Sequence, residues 1–301
     1  MNKRAGPVQV TAARDGSLTQ FAIIANSLLR PRPSHRMKFG QYIFVKPIVA
    51  IASILLASLA WAQTVSAQGS SGADEFPLKV DGDLGIGAYY THSIVRGKSE
   101  PASILPYADF DYGRMFARID TFGIKTAKMG YGYLEIAGQV ELDGFKANTS
   151  SLRGLTDRKD SLPLGIGTLQ ETPVGAFYVN VFHDFGKSKG ALVDITYVVS
   201  LTHEKVTIYP QIGAEYLSRQ YVRYYYGIST QEAVASHYGY YQPGGAFNPY
   251  VAALIEARIS DDWNLNFLLR HRWLGNSISD SPIVGRKGED NVFASVSYSF
   301  K

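Results

Sequence analysis

Apolar and polar residues alternate along much of this chain. In the closing stretch NVFASVSYSFK, Val292, Ala294, Val296, Tyr298 and Phe300 share one parity, and Asn291, Phe293, Ser295, Ser297 and Ser299 share the other. A period of two places these sets on opposite faces of a strand. In ALVDITYVVSL, Ala191, Val193, Ile195, Tyr197, Val199 and Leu201 oppose Leu192, Asp194, Thr196, Val198 and Ser200. In YGYLEIAGQVEL, Leu134, Ile136, Val140 and Leu142 oppose Tyr133, Glu135, Gln139 and Glu141; in VAALIEARI, Val251, Ala253, Ile255, Ala257 and Ile259 oppose Glu256 and Arg258. Gly, Asp, Asn and Ser separate such segments, and beyond Phe76 no long stretch keeps a helical repeat. The pattern predicts strands near 80–92, 103–112, 114–124, 131–142, 162–171, 174–185, 190–202, 205–217, 249–259, 263–275 and 289–300.

The segment WNLNFLLRHRW decides which way the apolar face points. Trp263, Leu265, Phe267, Leu269, His271 and Trp273 lie on one side, with Asn264, Asn266, Arg270 and Arg272 on the other. Ten steps of ~3.3 Å separate the tryptophans by about 33 Å. A strand tilt of roughly 40° shortens this to about 25 Å along the membrane normal, the height of the apolar band between two aromatic girdles. Trp263, Trp273, Tyr298 and Phe300 are the girdle candidates. On the opposite faces stand Glu135, Asp194, Glu256, Arg258, Arg270 and Arg272; with Arg114 and Arg118 they form a candidate lumen network. Unpaired charge in a dry sandwich core costs several kcal/mol, whereas in a lumen it pairs or meets water. The fold read from this is all-β, a transmembrane antiparallel barrel. Eleven segments are visible and single-chain bacterial barrels have even numbers, so ten or twelve strands are expected, with the miscount placed near 124–131 or 218–248. A barrel of this size has an interior that side chains and some water can fill, which disfavours a wide porin.

Composition changes the picture at the N-terminus. From Met37, Lys38 and Lys46 precede an apolar run from Pro47 to Ala62, and Val65-Ser66-Ala67 supplies small residues for cleavage. That is a signal-peptide pattern, 37–67, and its apolar run is shorter than the ~20 residues a spanning helix needs. Residues 1–36 read as an over-extended or disordered N-terminus, 68–79 as a periplasmic lead-in and 80–301 as the barrel, in the Gram-negative outer membrane. Residues 1–67 hold eight bases and one acid, so the formal charge of +4 becomes −3 for the remainder. The basic isoelectric point therefore gives no support to nucleic-acid binding. The absence of cysteine removes thiolate nucleophiles and cysteine-ligated metals.

None of the histidines at 35, 92, 183, 203, 237 and 271 has a recognisable partner motif for catalysis. Asp111 and Asp120 are a possible acid pair, but Arg114 and Arg118 beside them favour ion pairing. Metal-ligand spacing is absent and LGIGAYY is too little for phosphate binding, so no cofactor is expected.

Longer connections fall at 143–165, 218–248 and 275–290. Within them RQYVRYYYGISTQEAVAS, YQPGGAF, SDSPIVGR and SSLRGLTD…LPLGIG, with the terminal VSYSF, resemble the MipA/OmpV family of outer-membrane proteins. The resemblance covers most of 80–300. It implies a barrel that is not an enzyme: an envelope scaffold joining a lytic transglycosylase to a peptidoglycan synthase. The alternatives are a narrow channel, an osmotic-response porin or adhesin, or a barrel enzyme. Outer-membrane lipid and the barrel-assembly machinery are the other expected partners, with the terminal aromatic Phe300 as the assembly signal and Lys301 one residue beyond it. In the loops, Ser229 and Glu232 have capping-box spacing. Tyr221, Tyr224, Tyr225, Tyr226, Tyr238, Tyr240 and Tyr241 form an aromatic cluster, read as a rim anchor or a contact surface. Tyr224, Tyr225, Tyr226, Ser281 and Pro282 are the candidate loop contacts, with SDSPIVG (279–285) expected to fold back over the mouth.

Overall fold

The computed structural model describes residues 76–98 and 102–300; the segments read as an extension and a signal peptide lie outside the described residues. Thirteen strands form one closed sheet: β1 (Val80–His92), β2 (Ser103–Tyr112), β3 (Met115–Arg118), β4 (Thr121–Met129), β5 (Gly132–Gln139), β6 (Leu164–Thr172), β7 (Gly175–His183), β8 (Ala191–Val198), β9 (Leu201–His203), β10 (Val206–Leu217), β11 (Ala246–Arg258), β12 (Trp263–Trp273) and β13 (Gly288–Phe300). β8 and β9 are one interrupted run that pairs with β10, so the wall has twelve staves. Every neighbouring pair is antiparallel, and β13 closes on β1 from Gly82↔Phe300 to His92↔Asp290. The barrel and the even number stand as expected.

The stave missed in sequence is β3. The stretch 114–124 is not one strand: it folds back at Ile119, whose φ of 56° lies in the left-handed region. A β-branched residue seldom adopts that conformation, so no Gly or Asn marks the turn. The Ile119 N–H donates to the Ala108 carbonyl at 2.7 Å, pinning the turn against β2. Because β3 pairs only with Asp109–Tyr112, the upper part of β2 has an edge toward that side, and Pro106 sits there, where a missing N–H is tolerated.

The alternation sorts as the sequence predicts. Ile86 (60% exposed), Ile136 (59%), Ile195 (52%) and Ile212 (60%) stand on the outer surface, so the apolar parity faces away from the lumen. In water this would be an inverted protein; in a bilayer it is the lipid face. No described helix is long and apolar enough to cross a membrane, and strands do the crossing instead. Short turns at 113–114, 130–131, 173–174, 204–205 and 259–262 gather at one end. The long connections gather at the other, with the short 184–190 connection, while the tight 119–120 turn lies part-way along the wall beside Ala108 of β2. Short turns mark the periplasmic end of such barrels. Trp263 lies at that end with its ring edge-on to Tyr298 (5.4 Å), and Tyr298 contacts Phe300 (4.9 Å); Trp273 is at the far end of β12.

Candidate functional site

The outer mouth is filled by its own loops. Helix α1 (Arg219–Tyr226) and helix α2 (Thr230–Ala235) lie in the 218–245 connection, and α3 (Asn276–Ser279) in the 274–287 connection. Ile94 and Val95, Phe145 and Leu152, Tyr221, Val222, Tyr225 and Ile228, and Ile278 and Ile283 form one buried cluster drawn from four connections. The cluster rests on Phe182, Leu192, Leu217 and Ala246, which sit at the outer ends of β7, β8, β10 and β11 on the lumen-facing parity. The loops therefore form a plug seated in the mouth, with its own hydrophobic core.

Specific contacts lock the plug. Ser229 caps α2 by accepting from the Glu232 N–H (3.2 Å), while Glu232 accepts from the Ser229 N–H (2.9 Å), the capping box expected from the sequence. Glu232 also accepts from the Thr156 N–H (2.9 Å) and pairs with Arg158 (2.8 Å), tying the 140–163 connection to α2. Burial alone would raise its pKa, but these backbone N–H groups and Arg158 outweigh it and hold the carboxyl down to about 2. Gly154 meets the Ala235 carbonyl so closely that a Cβ would lie 2.1 Å from it, and its φ is +88°, so glycine is required for the two connections to touch.

Three of the seven clustered tyrosines are not the rim anchor or contact surface expected of them, whereas Tyr240 is exposed and Tyr224, Tyr238 and Tyr241 are partly so. Tyr221, Tyr225 and Tyr226 are buried at 0, 0 and 2% exposure because their rings are the plug's core and their hydroxyls find partners inside. Tyr221 and Tyr226 donate to Asp143 (3.0 and 3.2 Å), and Tyr225 donates to the Lys159 carbonyl (3.0 Å). Burial, then the nearby Asp143 charge, pushes Tyr221 and Tyr226 well above the usual tyrosine range. Ser281 is also buried, donating to the Tyr226 carbonyl (2.6 Å), so of the five loop candidates Tyr224 and Pro282 alone keep partial exposure. The 279–285 stretch does fold over the mouth, with Ile283 fully buried and Val284 bridged to Val95.

Beneath the plug lies a charged belt. Arg272 spans Glu215 and Glu289, and Arg270 stands 3.8 Å from Glu215 with its guanidinium 4.1 Å above the Tyr250 ring. Tyr250 donates to Asp194 (3.0 Å). Arg118 grips Glu135 through two bonds of 2.9 and 2.8 Å. Glu256 and Arg258 lie lower, toward the periplasmic end of β11. Arg114 does not join: it sits in the 113–114 turn, donates to the Thr126 carbonyl (2.7 Å) and stacks on Phe76. Sequence reasoning missed Glu215, Glu289, Asp83 and Asp109; all occupy the lumen parity of their strands, which was the available signal.

Below the belt the lumen is hollow. A cavity of about 770 Å³ runs from Arg270 and Tyr250 to Asp81, Asp261 and Ser299 at the periplasmic rim. Nine acidic and four basic described residues line it, a balance of −5. Among the described residues no cluster of three or more His, Cys, Asp or Glu is arranged to hold a metal ion. His271 faces outward beside Trp273, its Nδ1 2.6 Å from Asp290, and His203 ends β9 at a periplasmic turn.

The family model for MltA-interacting protein MipA matches residues 84–300, nearly the whole wall and plug. The chain belongs to the MipA family. Among MipA relatives, the MltA-interacting protein of Escherichia coli (strain K12) is 27% identical over 160 residues, 52% of this chain and 64% of that protein. The outer membrane protein OmpV of Vibrio cholerae is 27% identical over 51% of this chain and 60% of its own length. The putative outer membrane protein YiaT of E. coli K12 is 22% identical over 72% and 90%. The chain thus spans a little under two thirds of the first two. Of solved structures, the CymD monoaromatic hydrocarbon channel matches 76% of this chain and 90% of its own at 8% identity, with a TM-score of 0.30. Like these MipA/OmpV relatives, the protein is an outer-membrane barrel; they are named as an interacting protein or as outer-membrane proteins, not as enzymes.

Proposed function

We propose that this MipA-family barrel is a non-catalytic envelope scaffold that holds a lytic transglycosylase and a peptidoglycan synthase at the inner face of the outer membrane. The observation that carries this reading is the packed plug: a lumen blocked at its outer mouth suits an anchored platform better than a conduit. The printed name of the E. coli relative, MltA-interacting protein, supports a lytic transglycosylase as one partner. Trp263, Trp273, Tyr298 and Phe300 anchor the barrel in lipid, and the β13 end carries the segment that the barrel-assembly machinery reads.

The test is crosslinking in envelopes followed by affinity capture of the barrel. Co-purification of cell-wall lytic and synthetic enzymes is the expected result; their absence from a capture that retains the intact barrel sinks the scaffold. A second reading, a narrow channel, is favoured by the 770 Å³ cavity reaching up to Arg270. Planar-bilayer recordings separate the two, because stable single-channel steps from the unmodified protein belong only to the channel.

A further inference from the structure

The periplasmic cavity has a charge pattern that neither a scaffold nor a sealed barrel requires. On β1 and β2, Asp83 stands directly across from Asp109, and Asp81 across from Asp111. Like charges directly opposite on neighbouring strands destabilise a sheet. Compensation within the wall is incomplete. Lys125 holds Asp111 at 2.6 Å, but Arg118, which stands opposite Asp109, spends both its bonds on Glu135. Asn264 donates to one oxygen of Asp83 at 3.1 Å. The other oxygen is buried and has no hydrogen-bond partner among the described residues, although Asp83 lines the cavity and is only 8% exposed. A buried carboxylate oxygen left without a donor is costly.

We propose that this cavity binds a linear aliphatic polyamine entering from the periplasm. Three features select that chemistry. The balance of −5 inside low-dielectric walls focuses a negative field and concentrates cations. The carboxylates are spread along the strands rather than gathered around one point, which disfavours a single metal ion. Successive rungs, Asp81/Asp111 and Asp83/Asp109, repeat every two residues, roughly 7 Å, a spacing comparable to that between ammonium groups joined by short methylene chains. One ammonium supplies the donor that the free Asp83 oxygen lacks and separates it from Asp109. The methylenes span the gap between the two rungs, and the rest of the cavity leaves room for the chain.

The probe is spermidine, titrated calorimetrically into the full chain refolded in detergent at about 0.15 M salt, where diffuse surface attraction is screened. Saturable binding is expected, weakened at least tenfold by Asp83→Asn and by Asp109→Asn separately. Glu204→Gln, which removes an exposed acid at the same end but outside the cavity, should leave it unchanged. Heat-dependent migration in SDS verifies that each variant is folded, and removing one of two facing acids should not weaken the wall. The proposal is overturned by no spermidine binding, by equal loss in Glu204→Gln, or by undiminished binding in the folded Asp83→Asn/Asp109→Asn double variant. Asp83-dependent binding of a lysine-rich peptide without any of spermidine overturns it in favour of a protein partner.

Discussion

The outer and periplasmic halves of this barrel share one wall and one alternation, yet their interiors are opposites. Above the belt of Arg272, Glu215 and Glu289 the lumen is packed with tyrosine and aliphatic side chains; below it lies a hollow lined mainly by carboxylates. The outward parity is mainly apolar along both halves, because lipid surrounds both. What differs is the inward parity: Phe182, Leu192 and Leu217 at the outer strand ends, against Asp81, Asp83, Asp109 and Asp111 at the inner ends of β1 and β2. A barrel's outer surface therefore reports its solvent, and only its inner surface reports its use.

The belt divides the two halves, and breaking it has the largest expected effect. Arg272→Ala leaves Glu215 and Glu289 buried without their shared cation, a loss on the order of 3–5 kcal/mol. The temperature at which unheated, fast-migrating barrel converts to the unfolded band in SDS should fall clearly; an unchanged midpoint would remove the belt from the account of stability. Next comes the plug itself. Tyr225→Ala empties a fully buried ring site and should cost about 3 kcal/mol, charged to the plug rather than the wall. Protease cleavage within 218–245 should rise while heat-dependent migration persists, and bilayer recordings should gain steps the unmodified protein lacks. Loss of both together would mean that plug and wall are one cooperative unit.

Acid provides a smaller and local lever. Glu232 is held charged in the plug, its carboxyl depressed from an ordinary value near 4.5 to about 2. Its contribution is complete above about 4.5 and is lost as pH falls from there toward 2. The difference in loop cleavage between the unmodified protein and Glu232→Gln should be large at neutral pH and vanish near pH 2; a pH-independent difference would show that packing, not charge, joins 140–163 to α2. The smallest effect is Ser229→Ala, which removes one cap bond at the start of α2 and should cost about 1 kcal/mol, visible as faster hydrogen exchange at the Glu232 amide.

The wall was legible in the sequence because lipid and lumen impose a strict period of two, so Trp263 to Trp273 declares its direction without any partner. The turn at Ile119 was not, because a β-branched residue in a left-handed conformation is held by the Ala108 carbonyl, a contact made only after folding. The plug was half legible. The spacing of Ser229 and Glu232 announces a capped helix, but Tyr221, Tyr225 and Tyr226 look the same in sequence whether they meet membrane, partner or each other. Their burial depends on contacts with 140–163 and 274–287, drawn from distant parts of the chain. The lumen network was legible as residue types and parity, not as pairings: Arg272 finds Glu215 across 57 residues, and Arg114 turns out at a periplasmic turn.

The register between β1 and β13 has a consequence for how this chain is made. Eleven residue pairs from Gly82↔Phe300 to His92↔Asp290 join the first described strand to the last. Until both are in place, each presents a row of bare amides and carbonyls, and in hydrocarbon each unsatisfied group costs several kcal/mol. A C-terminally shortened chain therefore has no stable intermediate to rest in within the bilayer. Insertion is a commitment of the whole chain, complete only when the seam closes.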